Sequence, residues 1–307
     1  MQFHAAAIGS AVPQNSFDVT IQSVFDSSLN LRLEHEDRLI TVLISDHYNL
    51  PQGIRLSVKN ASLPSLTVGL RAASRGGILR FDSSPLRIDL RGAPIWQGRI
   101  GTLPTTIERA WSTLWQNLHQ QQIIKGTELI AEDLFYLDRG PLLTRKLSLP
   151  IRQLITAVKR YDSHACSEAA QRMIGLGPGV TPSGDDVLIG FLAGLHCMVG
   201  NEKERLAFIQ ALGNEILSLS KKTNEISRTY LYHAVKGEFS SSIVALIDAI
   251  RDGEEAQLTA AAGNAMRVGH SSGMDTVCGL LIGLAAWDAS SFHLDHKDMS
   301  LWQLHNV

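Results

Sequence analysis

The sequence predicts an α+β protein, a β-rich barrel or sandwich over residues 1–103 followed by an all-helical domain over residues 104–307. Three observations carry this. Apolar residues recur with a period near two before Pro104 and near 3.6 after it. Turn residues cut the first third into short segments, at Asn49-Leu-Pro-Gln-Gly53, Arg75-Gly-Gly77, Asp82-Ser-Ser-Pro85 and Arg91-Gly92. The second part carries one motif twice, S-G-x-D-x-x-x-G-x-x-x-G-L, over Ser183–Leu195 and Ser272–Leu284.

In chain order, strands are expected at Asp18–Phe25, Leu29–Leu33, Arg38–Ile44, Ile54–Val58, Leu66–Leu70, Gly77–Phe81 and Leu86–Leu90. Each is short and rich in β-formers. From Thr105 to Gln121, Ile107, Trp111, Leu114, Trp115 and Leu118 form a helical stripe. Further helices are expected at Leu149–Tyr161, Ser163–Ile174, Gly184–Val199, Lys203–Ser220 and Glu225–Val235. Phe239–Arg251, Glu254–Val268 and Gly273–Trp287 follow. Residues 122–148 have no clear period and read as an interdomain connection. The tail beyond Ser290 is weakly periodic.

Composition narrows the function. Hydrophobic residues make up 44% and charged residues 19%, which suits a full core. Net charge is −2 with no basic block, so a nucleic-acid partner is not expected. Charged residues interrupt every apolar run, so no membrane span is expected, and Met1–Ala7 lacks the features of a signal peptide. Cys166, Cys197 and Cys278 are an odd count without C-x-x-C, which fits a reducing, cytoplasmic setting and no zinc knuckle.

The chemistry centres on Gly175-Leu-Gly-Pro-Gly-Val-Thr-Pro-Ser-Gly-Asp-Asp186. Ser183 reads as an N-cap, with Asp186 at capping-box spacing. On the following helix Asp186, Gly190 and Gly194 share a face; in the second copy Asp275, Gly279 and Gly283 do. Glycine in a helix interior costs about 1 kcal/mol against Ala. The economical reason for four of them is two helices packed glycine face to glycine face. Their N-termini would then meet, bringing Asp186 and Asp275 together. The loop amides at Gly177, Gly179 and Gly184, with Thr181, Ser183, Ser271 and Ser272, would form an anion site. The alternative is two well-capped core helices whose Asp residues only serve the caps. Asp185 reads as a solvated first-turn acid. The pair Asp185-Asp186 also suits Mg²⁺, the one metal the stretch suggests, although no certain cofactor follows. His270 is a candidate acid or donor, or a loop-stabilising residue. Thr223-Asn224 reads as an N-cap, and Arg228 one turn later as a carboxylate or phosphate fork, or a surface Arg. His293-x-x-His296 lacks a third ligand and reads as incidental.

Three stretches, Gly175–Asp186, Thr223-Asn-Glu-Ile-Ser-Arg228 with its helix through Phe239, and Gly269–Leu284, resemble the family of the oxamate carbamoyltransferase subunit of anaerobic allantoin degradation. The resemblance implies a subunit of a hetero-oligomeric transferase. Its small anionic substrates would be carbamoyl phosphate and oxamate, and its products oxalurate and phosphate. On that implication the twin loops would cradle the phosphate, Arg228 would clamp the oxamate carboxylate, Asn224 would be a further substrate-binding residue, and Asp186, Asp275 and His270 would carry the chemistry. Two other readings stay open: a non-catalytic metabolite-binding scaffold subunit, and a metal-dependent hydrolase using the paired Asp residues.

Overall fold

The computed structural model describes residues 1–45, 47–56, 66–136 and 138–287. The chain divides into two compact units. One is Met1–Arg99 with Glu238–Val244; the other is Ile100–Gly237 with Ala245–Val307.

The first unit is a β-barrel. Its strands are β1 (Gln2–Gly9), β2 (Phe17–Val24), β3 (Ser28–Leu33), β4 (Leu39–Leu43), β5 (Gly53–Leu56), β6 (Arg71–Arg75), β7 (Ile78–Phe81) and β8 (Arg87–Asp89). They run in the order β5-β4-β3-β2-β6-β7-β8-β1, and an antiparallel β1–β5 pairing closes the ring, leaving the two-residue β9 (Ile95–Trp96) on β1. Most pairs are antiparallel; β1–β8, β1–β9 and β4–β5 are parallel. Alternation in β2 turns Phe17, Val19 and Ile21 inward, where they join Leu29, Leu31, Val42, Ile54, Leu79 and Ile88. Asn30 is also buried, and Thr41 Oγ1 and Ser23 Oγ satisfy it at 2.9 and 3.0 Å. The segment 238–244 belongs here through Phe239 N–H to Gly98 O (2.7 Å) and Ser241 N–H to Asn49 O (2.9 Å).

The strand expectations need two corrections. β1 was not expected, because Ala5-Ala6-Ala7 carries no β-branched signal. No strand occupies Leu66–Leu70; Gly69 has φ +89° in a tight turn there, and β6 begins after it. The expected strand Ile54–Val58 is present as β5 up to Leu56, and Ser57 and Val58 lie outside the described residues.

The second unit is helical: α1 (Glu108–Lys125), α2 (Leu142–Lys159), α3 (Ser163–Met173), α4 (Ser183–Cys197), α5 (Lys203–Leu219), α6 (Glu225–Val235), α7 (Ser241–Asp252, beginning in the first unit), α8 (Glu255–Met266) and α9 (Ser272–Ala286), with short 3₁₀ turns at Glu132–Phe135 and Ser220–Lys222. The stretch 122–148 is therefore the end of α1, a 3₁₀ turn and the start of α2. α2 runs through Pro150, where the sequence suggested a start, because Leu143, Leu147, Ile151, Leu154 and Val158 bury one continuous stripe. α4 and α9 are apolar on nearly every side and buried on nearly every side. α3 and α6 pack on α4; α1, α2 and α8 pack on α9; α4 and α9 pack on each other. His293 and His296 lie outside the described residues.

Candidate functional site

α4 and α9 touch through their glycines. A Cβ on Gly190 would lie 2.7 Å from Leu280 N, and one on Gly279 would lie 2.8 Å from Val187 C. Gly194 and Gly283 face the opposite backbone in the same way, at 2.5 Å from Gly283 C and 3.0 Å from Phe191 C. All these neighbours are main-chain atoms, so only glycine fits.

The two motif copies are built alike. In the first, Leu176 N–H bonds Met173 O, Gly184 N–H bonds Leu176 O, and Gly184 sits against the Met173 carbonyl at the end of α3. In the second, Val268 N–H bonds Ala265 O, Gly273 N–H bonds Val268 O, and Gly273 sits against the Ala265 carbonyl at the end of α8. Asp186 and Asp275 are each the fourth residue of their helix. Four residues further, Gly190 and Gly279 hold the helices in contact, and the two carboxyls come close enough for the Asp275 charge to act on Asp186.

The capping-box expectation is corrected. The N-cap of α4 is Pro182 and that of α9 is Ser271, and neither makes a side-chain cap bond. Ser183 is one place inside the helix. Its hydroxyl lies beside Asp275 of the other helix, while Ser272 lies beside Asp186. Ser272 Oγ and Thr181 Oγ share a 2.6 Å hydrogen bond that ties the two loops. Ser271 also flanks Asp275.

The pair is buried, Asp186 at 5% exposure and Asp275 at 1%. Asp186 Oδ2 and both oxygens of Asp275 make no hydrogen bond among the described residues, although Ser272 and Thr181 stand beside Asp186, and Ser183 and Ser271 beside Asp275. Burial pushes the Asp275 carboxyl up to about 7, with Ser183 and Ser271 drawing it back. Burial raises Asp186 well above its ordinary value, and the Asp275 charge raises it further. The two carboxyls therefore titrate as a coupled pair, raised by burial and by the charge of one acting on the other. Such a pair can accept N–H donors from a ligand and take up a proton near neutral pH.

The other expected residues fall as follows. Gly177 and Gly179, at φ +116° and +96°, shape the loop. The N–H of Gly184 is taken by Leu176 O, and those of Asp185 and Asp186 by Pro182 O, so this helix start offers fewer free amides to an anion than expected. Asn224 caps α6, accepting from Ile226 N–H and Ser227 N–H at 3.0 Å each, and donates to Val180 O at 3.0 Å. Arg228 is partly buried and pairs with Glu225 at 3.8 Å. His270 is exposed before α9. Asp185 is not solvated as expected but fully buried, accepting from Gly175 N–H at 2.8 Å and Thr223 Oγ1 at 2.5 Å. The signal for it was the one mismatch next to the Asp, S-G-D-D against S-G-M-D.

Among the described residues no three His, Cys, Asp or Glu side chains gather as a metal-binding group. An open groove of about 910 Å³ lies elsewhere, between α2, α3 and the turn at Glu132–Phe135, where Phe135, Leu149, Arg152 and Arg160 line it. All three cysteines are buried and free. No described helix is long and apolar enough to cross a membrane.

Two family descriptions match the sequence. The AllH family N-terminal domain covers residues 4–95, and the oxamate carbamoyltransferase subunit AllH covers residues 173–284, which contain both motif copies and Thr223–Arg228. No solved structure matches the chain. With the barrel and the paired glycine helices both accounted for, the chain belongs to the AllH family of oxamate carbamoyltransferase subunits.

Proposed function

We propose that this chain provides the substrate-nitrogen site of an oxamate carbamoyltransferase, with Asp186 and Asp275 receiving the N–H donors of oxamate. One observation carries the reading: three buried carboxylate oxygens without partners, where the starts of α4 and α9 meet. Leaving such acceptors unpaired costs about 1–3 kcal/mol each or more, so their natural complement is a ligand rich in N–H. In the reaction, the oxamate nitrogen bonds to the carbamoyl carbon of carbamoyl phosphate and the C–O bond to phosphate breaks. The nitrogen gives up one proton, yielding oxalurate and phosphate. A carboxyl pushed up to about 7 is matched to accept that proton at neutral pH. Ser271, Ser272, Thr181 and the remaining loop amides would face the phosphate. His270 and Arg228 would approach from the rim, and other subunits would complete the enzyme.

The test is isosteric. Asp186→Asn and Asp275→Asn, each in the assembled complex, should lower the rate of oxalurate formation about 10²-fold or more, the usual contribution of a positioned base. Complex assembly should be unchanged. Wild-type rates in both variants sink the proposal. A metabolite-binding scaffold would instead lose ligand affinity while the maximal rate held.

A further inference from the structure

The loops that lead into the two motif copies differ in length. Met173 and Gly184, in contact across the first loop, are eleven positions apart; Ala265 and Gly273, in contact across the second, are eight apart. The extra three residues fall between Leu176 and Gly184, in the stretch with Gly177 and Gly179 at positive φ. A longer loop with two such glycines has more conformations to lose. Something must hold it, and the second copy needs no equivalent.

Asp185 occupies the helix position where the second copy has Met274. As third residue of α4, an acid would ordinarily reach back to the N-cap N–H. Here the N-cap is Pro182, which has none. Asp185 turns instead to the start of the long loop, accepting from Gly175 N–H, and with its other oxygen from Thr223 Oγ1. Ser227, in the first turn of α6, stands beside the same carboxyl. Asn224, the residue after Thr223, holds the far end of the loop through Val180 O while capping α6. The loop is thus gripped at both ends by the two residues that start α6.

We infer that Asp185, Thr223 and Asn224 form a latch that fixes the Gly175–Val180 loop against Ser183 at the start of α4, making them positioning residues for the acid pair there. This rests on the reading of that pair as a ligand site only for its functional consequence; the latch itself is a property of the free protein. The motif Thr223-Asn-Glu-Ile-Ser227 then has a purpose beyond starting a helix.

Two variants of one residue test it. Thr223→Val keeps the shape and removes the hydroxyl; Thr223→Ser keeps the hydroxyl. Amide hydrogen exchange in the full chain should speed up about tenfold across residues 175–181 in Thr223→Val, the effect of losing one buried hydrogen bond. Exchange in α1 and α8 should be unchanged, and Thr223→Ser should behave as wild type. Unchanged loop exchange in Thr223→Val overturns the inference. So does a uniform rise over the whole chain, which marks a general packing role, or failure of Ser to rescue. A second arm separates this from the proposed function. With the latch lost, the KM for oxamate in the assembled complex should rise about tenfold. Faster loop exchange with an unchanged KM would leave the latch standing and remove the site from beneath it.

Discussion

Gly190→Ala adds one methyl group to the crossing of α4 and α9, where the facing backbone leaves no room for it. The new Cβ would lie 2.7 Å from Leu280 N and 2.8 Å from Thr276 C, and closer still to the Thr276 carbonyl oxygen. Ordinary contact begins near 3.4 Å, and backbone atoms have no rotamer to escape into. The helices must separate by about 1 Å, and a gap of that size forfeits roughly a quarter to a half of each dispersion contact along the seam. Overpacking in a tight core costs about 1–3 kcal/mol, with this site at the upper end. Against that, Ala gains about 1 kcal/mol in helix propensity. The expected net loss is about 2 kcal/mol or more. Gly263 is the control: it lies inside α8, where a Cβ would meet only Arg267 Nη1 at 3.4 Å. Gly263→Ala should stabilise by about 0.5–1 kcal/mol. Urea unfolding of the helical signal compares the two. A Gly190→Ala midpoint at or above wild type refutes the close-packed crossing.

Three further outcomes are expected. Asp275 ionises at about 7 in the folded chain against an ordinary 3.8, so its contribution to stability is full below about 4 and lost as pH rises to about 7, by at most about 4 kcal/mol. Asp275→Asn should therefore melt higher than wild type at pH 8 and alongside it at pH 4; an equal difference at both pH values counts against a buried, protonated acid. Asn224→Ala should cost about 1–2 kcal/mol, since it removes the cap of α6 as well as the bond to Val180 O, and thermal unfolding should place it below Asn224→Asp. Trp111→Phe should cost about 1–3 kcal/mol, read by denaturant unfolding, because Trp111 Nε1 donates at 2.7 Å to Leu281 O inside the core; no loss would show that the bond is dispensable.

The barrel-then-bundle order was legible because period and turn residues change together near Pro104. Barrel closure was not, since it depends on β1, whose alanines look neutral, pairing with β5 across most of the unit. The glycine stripes foretold the α4–α9 contact because only close backbone approach explains four costly glycines in two matched helices. The starts of those helices were misread by one residue. A serine before an acid looks like a cap, yet Pro182 takes the N-cap position, and that shift sends Asp185 to Gly175 and leaves Asp186 facing Asp275. Asp185 was misread as solvated because its partners, Gly175 and Thr223, are ten and thirty-eight residues away in sequence, and the mismatch with Met274 was the one local sign of its burial.

The position of oxamate bound to the assembled complex, seen in a crystal, decides whether the acid pair receives the substrate. Its amide nitrogen should lie about 3 Å from Asp186 Oδ2 and the Asp275 oxygens. Oxamate bound elsewhere, as in the groove beside Arg152 and Arg160, with the two carboxyls still facing only each other, would contradict it.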